Sequence, residues 1–313
     1  MKTIYFMGEC MIELKPIEQA LMQQSFAGDV YNSAVYLKRS FPHINSSMVT
    51  AVGVDAMSDK MLQVFAQESL DIQFVFRHPE KVPGLYLIAT DESGERSFTY
   101  WRNDSAARKI QHFLVPETVR QLASGDMFFL SGISLAVIEE SARGAFWRTL
   151  EGLKRAGVRI VFDPNYRARL WRDKEQTRKQ YDSAFRLADV VLPGLEDLSE
   201  LYGFDSTAQV LRFCQDYDIA EIIIKNGPES VVSWCDGRHG EHQVTPVEQV
   251  IDTTSAGDAF NGVYLGARLS GITLDSAVQL AAVAAGTVIQ HPGAIAPKNA
   301  FINAMQEAGL IPA

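Results

Sequence analysis

Cysteine is scarce and scattered. Cys10, Cys214 and Cys235 are the only three in 313 residues, and no CxxC pair occurs. That excludes a disulfide framework and a cysteine-based structural zinc. Long apolar runs are missing too. The longest apolar-rich stretch, AVQLAAVAAGTVI (277–289), is too short to span a bilayer and reads as a buried helix. Basic residues are outnumbered, 29 Lys+Arg against 38 Asp+Glu. An acidic surface argues against nucleic-acid or anionic-membrane partners. The opening MKTIYFMGECMIELKP has no continuous apolar core, so no signal peptide is expected and a reducing, cytoplasmic setting is the default. Neither GxxxxGK[ST] nor a strand-following GxGxxG is present, which excludes a P-loop and disfavours a dinucleotide dehydrogenase. The six histidines show no metal-ligand spacing. No repeat, low-complexity tract or Ser/Pro-rich linker divides the chain.

What is present is a rhythm. DMFFLSG (126–132), VRIVFD (158–163), DVVLPG (189–194) and AEIIIKNG (220–227) read as buried strands. Between them lie the helical patterns SLAVIEESARGAFWRTLEGLKRAG (134–157), DKEQTRKQYDSAFRLA (173–188) and TAQVLRFCQDYD (207–218). Short apolar runs separated by helices predict crossover units, hence a mainly parallel sheet with helices on both faces. Two segments break the rhythm. GECMIELKP (8–16) and FVFRHPEKVPGLYLIATDESGERSFTYWR (74–102) look like strands, the second turning at DESG. They predict a small antiparallel sheet inserted into the core as a lid, spanning about 9–38 and 72–107 of a single 1–313 domain.

The segment IDTTSAGDAFNG (251–262) carries the chemistry. Small residues let backbone N–H groups approach a ligand, and a helix start supplies unpaired N–H donors and partial positive charge. Ser255, Ala256 and Gly257 therefore form a candidate anion hole for a phosphate. Asp258 sits at its edge, where a carboxylate can take a proton from a hydroxyl, the pairing phosphoryl transfer needs. An acidic residue in a helix's first turn is also common simply because it complements the dipole.

DTTSAGDAFNG resembles the C-terminal signature D-T-x-G-A-G-D of the ribokinase-like (PfkB) carbohydrate kinase family, with Ser255 in place of the usual glycine. The resemblance covers nearly the whole chain, through GECMIEL, FAGDVYNSAVYLKR (26–39), TAVGVDAMSD (50–59) and HPGAIAP (291–297). It implies a three-layer ribokinase-like α/β fold with a small β-sheet lid, and Asp258 as catalytic base. Gly28, Asp29 and Asn32 would face the sugar. PGLYLI (83–88), YWRNDSAA (100–107) and FDPNYRARLW (162–171) resemble the members that phosphorylate 2-keto-3-deoxygluconate, a sugar acid, on its terminal hydroxyl. By that resemblance Tyr86, Tyr100 and Arg102 come from the lid, and Ile133, Asn165 and Arg167 come from the core, to hold the substrate. Arginine forks suit a carboxylate and tyrosines suit a polyol. The same resemblance places ATP against Gly194, Lys225, Gly227 and the anion hole, with Mg2+. The family's metal-organising N-x-x-E maps onto LPGLED (192–197) without its Asn, leaving either Glu196 or Asp197 in that role. Asp252 falls beside the monovalent-cation site of those members that bind one, where K+ would sit. A homodimer joined through the lids is expected. Fructokinase is the near alternative, and a sugar-sensing protein on the same fold, without turnover, is the alternative of a different class.

Overall fold

Runs such as FFL, IVF and III have no polar side, so a strand built from them must be covered on both faces. The computed structural model, which describes residues 1–18, 21–90 and 96–309, shows that cover. In chain order the strands are β1 (Thr3–Met7), β2 (Met11–Glu18), β3 (Leu21–Ala27), β4 (Asn45–Val52), β5 (Asp71–Arg77), β6 (Leu85–Thr90), β7 (Arg96–Trp101), β8 (Met127–Ser131), β9 (Arg159–Asp163), β10 (Val190–Val191), β11 (Glu221–Asn226), β12 (Ser230–Cys235) and β13 (Arg238–Gln243). The main sheet has the order β13-β12-β11-β10-β9-β8-β1-β4-β5. It is parallel from β11 through to β5 and antiparallel across β11, β12 and β13. Side chains alternate between two cores. Met127, Phe129 and Ile223 enter one with the helices Asp29–Ser40, Ala56–Gln67, Ala256–Leu269, Leu274–Val288 and Lys298–Glu307. Phe128, Leu130, Ile222 and Ile224 enter the other with Arg143–Arg155, Lys174–Leu187, Leu195–Tyr202 and Thr207–Gln215. Three layers result, as expected. Among the described residues no helix is long and apolar enough to cross a membrane.

The strand order reverses between β1 and β8. A crevice opens outside the carboxyl ends of strands at such a switch point, and the lid sits over it. The lid sheet has the order β3-β2-β6-β7. It is two antiparallel hairpins joined by a parallel β2–β6 pairing. Its strands are confined to narrower ranges than 9–38 and 72–107. Residues 29–38 belong to a core helix whose apolar side is buried, and β5 pairs with β4 as the edge of the main sheet. The DESG turn lies outside the described residues.

The expected 134–157 helix is broken. One helix, Gly132–Val137, ends at Ile138, and a second runs Arg143–Arg155. The reason is Arg143, whose buried guanidinium donates to the Leu135 and Ala136 carbonyls at 3.0 and 3.2 Å and so terminates the first piece. The β12–β13 hairpin was not expected, although its Asp236-Gly237 turn, with both residues at positive φ, is a strong hairpin signal.

Two helices carry the site, Asp29–Ser40 and Ala256–Leu269. They run side by side in the same direction, and Gly262 sets their spacing. A Cβ there would lie 2.2 Å from the Ser33 carbonyl oxygen and 2.9 Å from the Leu37 nitrogen. Gly262→Ala therefore forces the helices apart and should cost about 1–3 kcal/mol. Gly152→Ala, in a helix where an added Cβ meets nothing within 4 Å, should instead gain about 0.5–1 kcal/mol. Thermal melts of the two variants check this, and equal Tm shifts would refute the account of Gly262.

Candidate active site

Asp29 begins one of the paired helices and Asp258 lies in the first turn of the other. Gly28 precedes Asp29 because the Glu9–Cys10 backbone passes against it. An added Cβ would stand 2.2 Å from the Glu9 carbonyl oxygen. Asp163 arrives at the end of β9 and Lys225 near the end of β11. Each of the three carboxylates is held by an asparagine amide. Asn32 donates to Asp258 at 2.8 Å, Asn165 to Asp29 at 2.9 Å, and Asn261 to Asp163 at 2.7 Å. Lys225 bridges Asn261 Oδ1 at 3.1 Å and Asp163 at 3.4 Å.

Crowding three acids has a consequence for protonation. Burial, reinforced by the Asp29 and Asp163 charges, pushes the Asp258 carboxyl up to about 7, against the pull of the Asn32 hydrogen bond. Burial likewise raises Asp29, opposed by contacts from Ser131, Val30 and Asn165. Asp197 is pushed up to about 6 by burial and by Asp163, with Arg167 and Lys225 acting the other way. A carboxyl near neutrality is a competent proton acceptor at physiological pH.

Beside Asp258, Ala256 and Gly257 open the helix, and Ser255 caps it at φ 68, ψ 8. That left-handed conformation explains the glycine usual at this place in the signature. A serine there costs roughly 1–2 kcal/mol of backbone strain. The orphan N–H groups of the first turn face a cavity of about 940 Å3. A Cβ placed on Gly257 would be 3.7 Å from the Lys225 ammonium, so cation and helix end converge on one spot.

The cavity joins most of the residues expected from sequence. It is lined by Gly28, Asp29, Asn32, Ile133 and Asn165, with Tyr86 and Tyr100 from the lid and Arg167 from the segment after β9. Gly194, Glu196, Asp197, Lys225, Gly227 and Ser255–Asp258 line it too. Asp197 is half-buried and ion-paired with Arg167 at 3.1 Å, whereas Glu196 is exposed. Two expected residues do not line it. The Arg102 guanidinium is buried and ion-paired with Glu9 at the base of the lid. Asp252 accepts from Thr254 N–H at 3.1 Å and Gly293 N–H at 2.7 Å, tying two loops together. Tyr86 offers its ring, since its hydroxyl donates to the buried Glu13 carboxylate.

Sequence reasoning passed over Asp163, Asn261, Arg169 and Glu13. Asp163 and Arg169 flank Asn165 and Arg167 in a segment already singled out. Asn261 lies one helical turn after Asp258, on the same face. Glu13 carries no local signal.

The residues fit a nucleoside triphosphate, with a roomy cavity, an open helix end and an ammonium at one spot. Among the described residues no group of three His, Cys, Asp or Glu could hold a metal. Asp197 is the cavity carboxylate that would assist a magnesium ion carried in with the nucleotide, since magnesium keeps several waters and needs few protein ligands.

An anion hole, a raised carboxylate and a lidded polyol pocket at the switch point define a sugar-phosphorylating enzyme. The chain belongs to the pfkB family of carbohydrate kinases, whose model matches residues 1–300. It is 37% identical over 306 residues to the 2-dehydro-3-deoxygluconokinase of Dickeya dadantii, covering 96% of this chain and 98% of that one. Among solved structures it resembles a PfkB protein from Polaromonas sp. JS666, with TM-score 0.82, 25% identity and coverage of 93% and 97%. It also resembles a fructokinase with bound ATP from Xylella fastidiosa, with TM-score 0.82, 21% identity and coverage of 98% and 99%.

Replacing Asp258 with Asn separates chemistry from stability. Turnover should fall about 10²–10⁴-fold. A carboxyl raised from its ordinary 3.8 to about 7 keeps its proton in the folded protein between those values. The stability it confers is complete at low pH and declines as pH rises through that window. Asp258→Asn should therefore raise Tm most at pH 8, less at pH 5, and change it little below about pH 3.8. Wild-type kcat/KM should climb toward a plateau above about pH 7. Near-normal turnover of the variant would remove Asp258 from the chemistry.

Proposed function

We propose that this kinase transfers the γ-phosphoryl of ATP to the terminal hydroxyl of 2-keto-3-deoxygluconate, giving 2-keto-3-deoxy-6-phosphogluconate in the cytoplasm. The observation that carries the reading is the junction at Asp258. The carboxylate stands between a polyol-sized pocket and an anion-binding helix end, inside one cavity. The similarity to 2-dehydro-3-deoxygluconokinase supports the substrate.

In this mechanism Asn32 and Asp29 orient the sugar so that its terminal hydroxyl meets Asp258, which takes the proton as the oxygen attacks. The N–H groups of Ala256, Gly257 and Asp258 hold negative charge on the phosphoryl in flight, and Lys225 adds a cation beside them. Electrostatic positioning of this kind supplies most of the catalysis in phosphoryl transfer. A magnesium ion carried in with the nucleotide would offset phosphate charge, and Asp197 is the cavity carboxylate that would help hold it. Tyr86 and Tyr100, stacked at 5.5 Å, cover the substrate and keep water out.

The same reading includes a homodimer formed through the lids. Ile17, Leu21 and Met22 on the β2–β3 hairpin are 57, 52 and 49% exposed, and β3 and β7 are open edges that need cover. Light scattering at micromolar concentration should give a dimer, and Met22→Glu should shift it to monomer. A wild-type monomer would end the dimer reading.

A sugar-acid site leaves a guanidinium without its anionic partner when fructose binds. Charge-assisted hydrogen bonds are worth roughly 1.5–3 kcal/mol. So kcat/KM for 2-keto-3-deoxygluconate should exceed that for fructose by on the order of 10²-fold or more. Equal values, or faster fructose turnover, would overturn the substrate assignment.

A further inference from the structure

The chemistry at Asp258 leaves one acid of the crevice without a role. Asp163 stands at the carboxyl end of β9 and is 4% exposed. Its Oδ2 accepts from the Asn261 amide at 2.7 Å and lies 3.4 Å from the Lys225 ammonium. Its Oδ1 is buried with no hydrogen-bond partner among the described residues. A buried acid so incompletely paired is a poor stabiliser of the fold.

Asn261 is wholly buried in the helix Ala256–Leu269, and its amide can take only one orientation. Its NH2 must face the carboxylate, and its oxygen must face the ammonium at 3.1 Å. Lys225 is therefore gripped between two oxygens, one from β9 and one from the helix. A four-carbon stem alone would leave the ammonium in many positions. The grip sets it where an added Cβ on Gly257 would be 3.7 Å away, beside the open helix end. Electrostatic catalysis needs its charges in place before the reaction begins.

The same carboxylate reaches Asp258 through space. The charged and titratable groups around Asp258 are Asp29 and Tyr36 on the paired helix, Asp163 on β9, Arg167 beyond it and Lys225 on β11. Asp29 and Asp163 are the negative charges among them, and a negative neighbour favours proton uptake.

We propose that Asp163 is a positioning residue, which with Asn261 fixes the Lys225 ammonium at the phosphoryl-binding helix end and by its charge favours proton uptake at Asp258. The proposal rests on the reading of Asp258 as the base that takes the sugar's proton.

The test measures kcat and kcat/KM from pH 5 to pH 9, with thermal melts, on whichever of 2-keto-3-deoxygluconate and fructose the wild type turns over faster. Asp163→Asn should lower plateau kcat about 10- to 100-fold and leave the sugar KM within about threefold. It should also move the rising limb of kcat/KM down by about half a unit to one unit of pH. Asn261→Ala removes the bridge and no charge, so it should lower kcat and leave the limb in place. Lys225→Met should lower kcat and Tm. Adding Asp163→Asn to it should lower kcat by less than about threefold more, because the acid acts through the lysine, and should restore Tm, because the stranded charge is gone. If the two kcat losses multiply in full, or Asp163→Asn keeps wild-type kcat and limb, Asp163 is not a positioning residue and the reading of Asp258 stands. Should Asp163→Asn fail to fold, wild-type kcat in Asn261→Ala would overturn the proposal and a lowered kcat with an unmoved limb would support it. If the wild type has no rising limb that Asp258→Asn removes, the reading of Asp258 fails and takes the proposal with it.

Discussion

Two helices that begin far apart in the chain touch backbone to backbone at Gly262, and the site exists only because they do. The contact fixes their separation and their register, so that Asn32 on one meets Asp258 on the other at 2.8 Å. A near-attack geometry tolerates errors of a few tenths of an ångström. A spacing set by side chains would be softer than one set by a carbonyl oxygen against an α-carbon. The sheet contributes the rest of the frame. The carboxyl ends of β9 and β11 deliver Asp163 and Lys225 to the crevice, and the lid strand β3 leads into Gly28.

The electrostatics of that crevice depend on which groups stabilise its acids. Asparagine amides orient all three carboxylates, and Lys225 at 3.4 Å adds an ion pair to Asp163. Had lysines or arginines stood at positions 32, 165 and 261, Asp258 would be held well below neutrality and would be a poor base. The positive elements are set to one side, in the helix end and Lys225, where the transferring group carries its charge. Ser255 adds a local strain at this junction that the surrounding loops must hold in place. Asp252 helps by pinning the preceding turn to the 293 region.

Much of this was legible before any coordinates. The buried strands at 126–132, 158–163 and 220–227 showed themselves as unbroken apolar runs, and the 251–262 segment announced a helix start shaped for phosphate. The lid boundaries were not legible, because the alternation in β5 looks the same whether a strand joins the lid or the main sheet. Only its crossover from β4 decides. The helix break at 138–142 escaped because its cause, the reach of Arg143 back to two carbonyls, leaves the apolar spacing intact. Arg102 reads like a ligand in sequence, yet the residue that claims it, Glu9, lies more than ninety positions away. Pairing at that separation leaves no trace in local pattern.

The order in which the chain is made bears on its folding. The face of the Asp29–Ser40 helix that Gly262 adjoins leaves the ribosome early, while its partner Ala256–Leu269 comes in the last fifth of the chain. At about 5–20 residues per second, the interval is about 10 to 45 seconds. For that time the helix can pack on β1, β4 and β8, but the side that meets the later helix stays uncovered by it. A stop or a slow codon cluster shortly before residue 256 would lengthen that exposure, whereas the same delay after residue 270 would fall on a chain whose catalytic helices have already met.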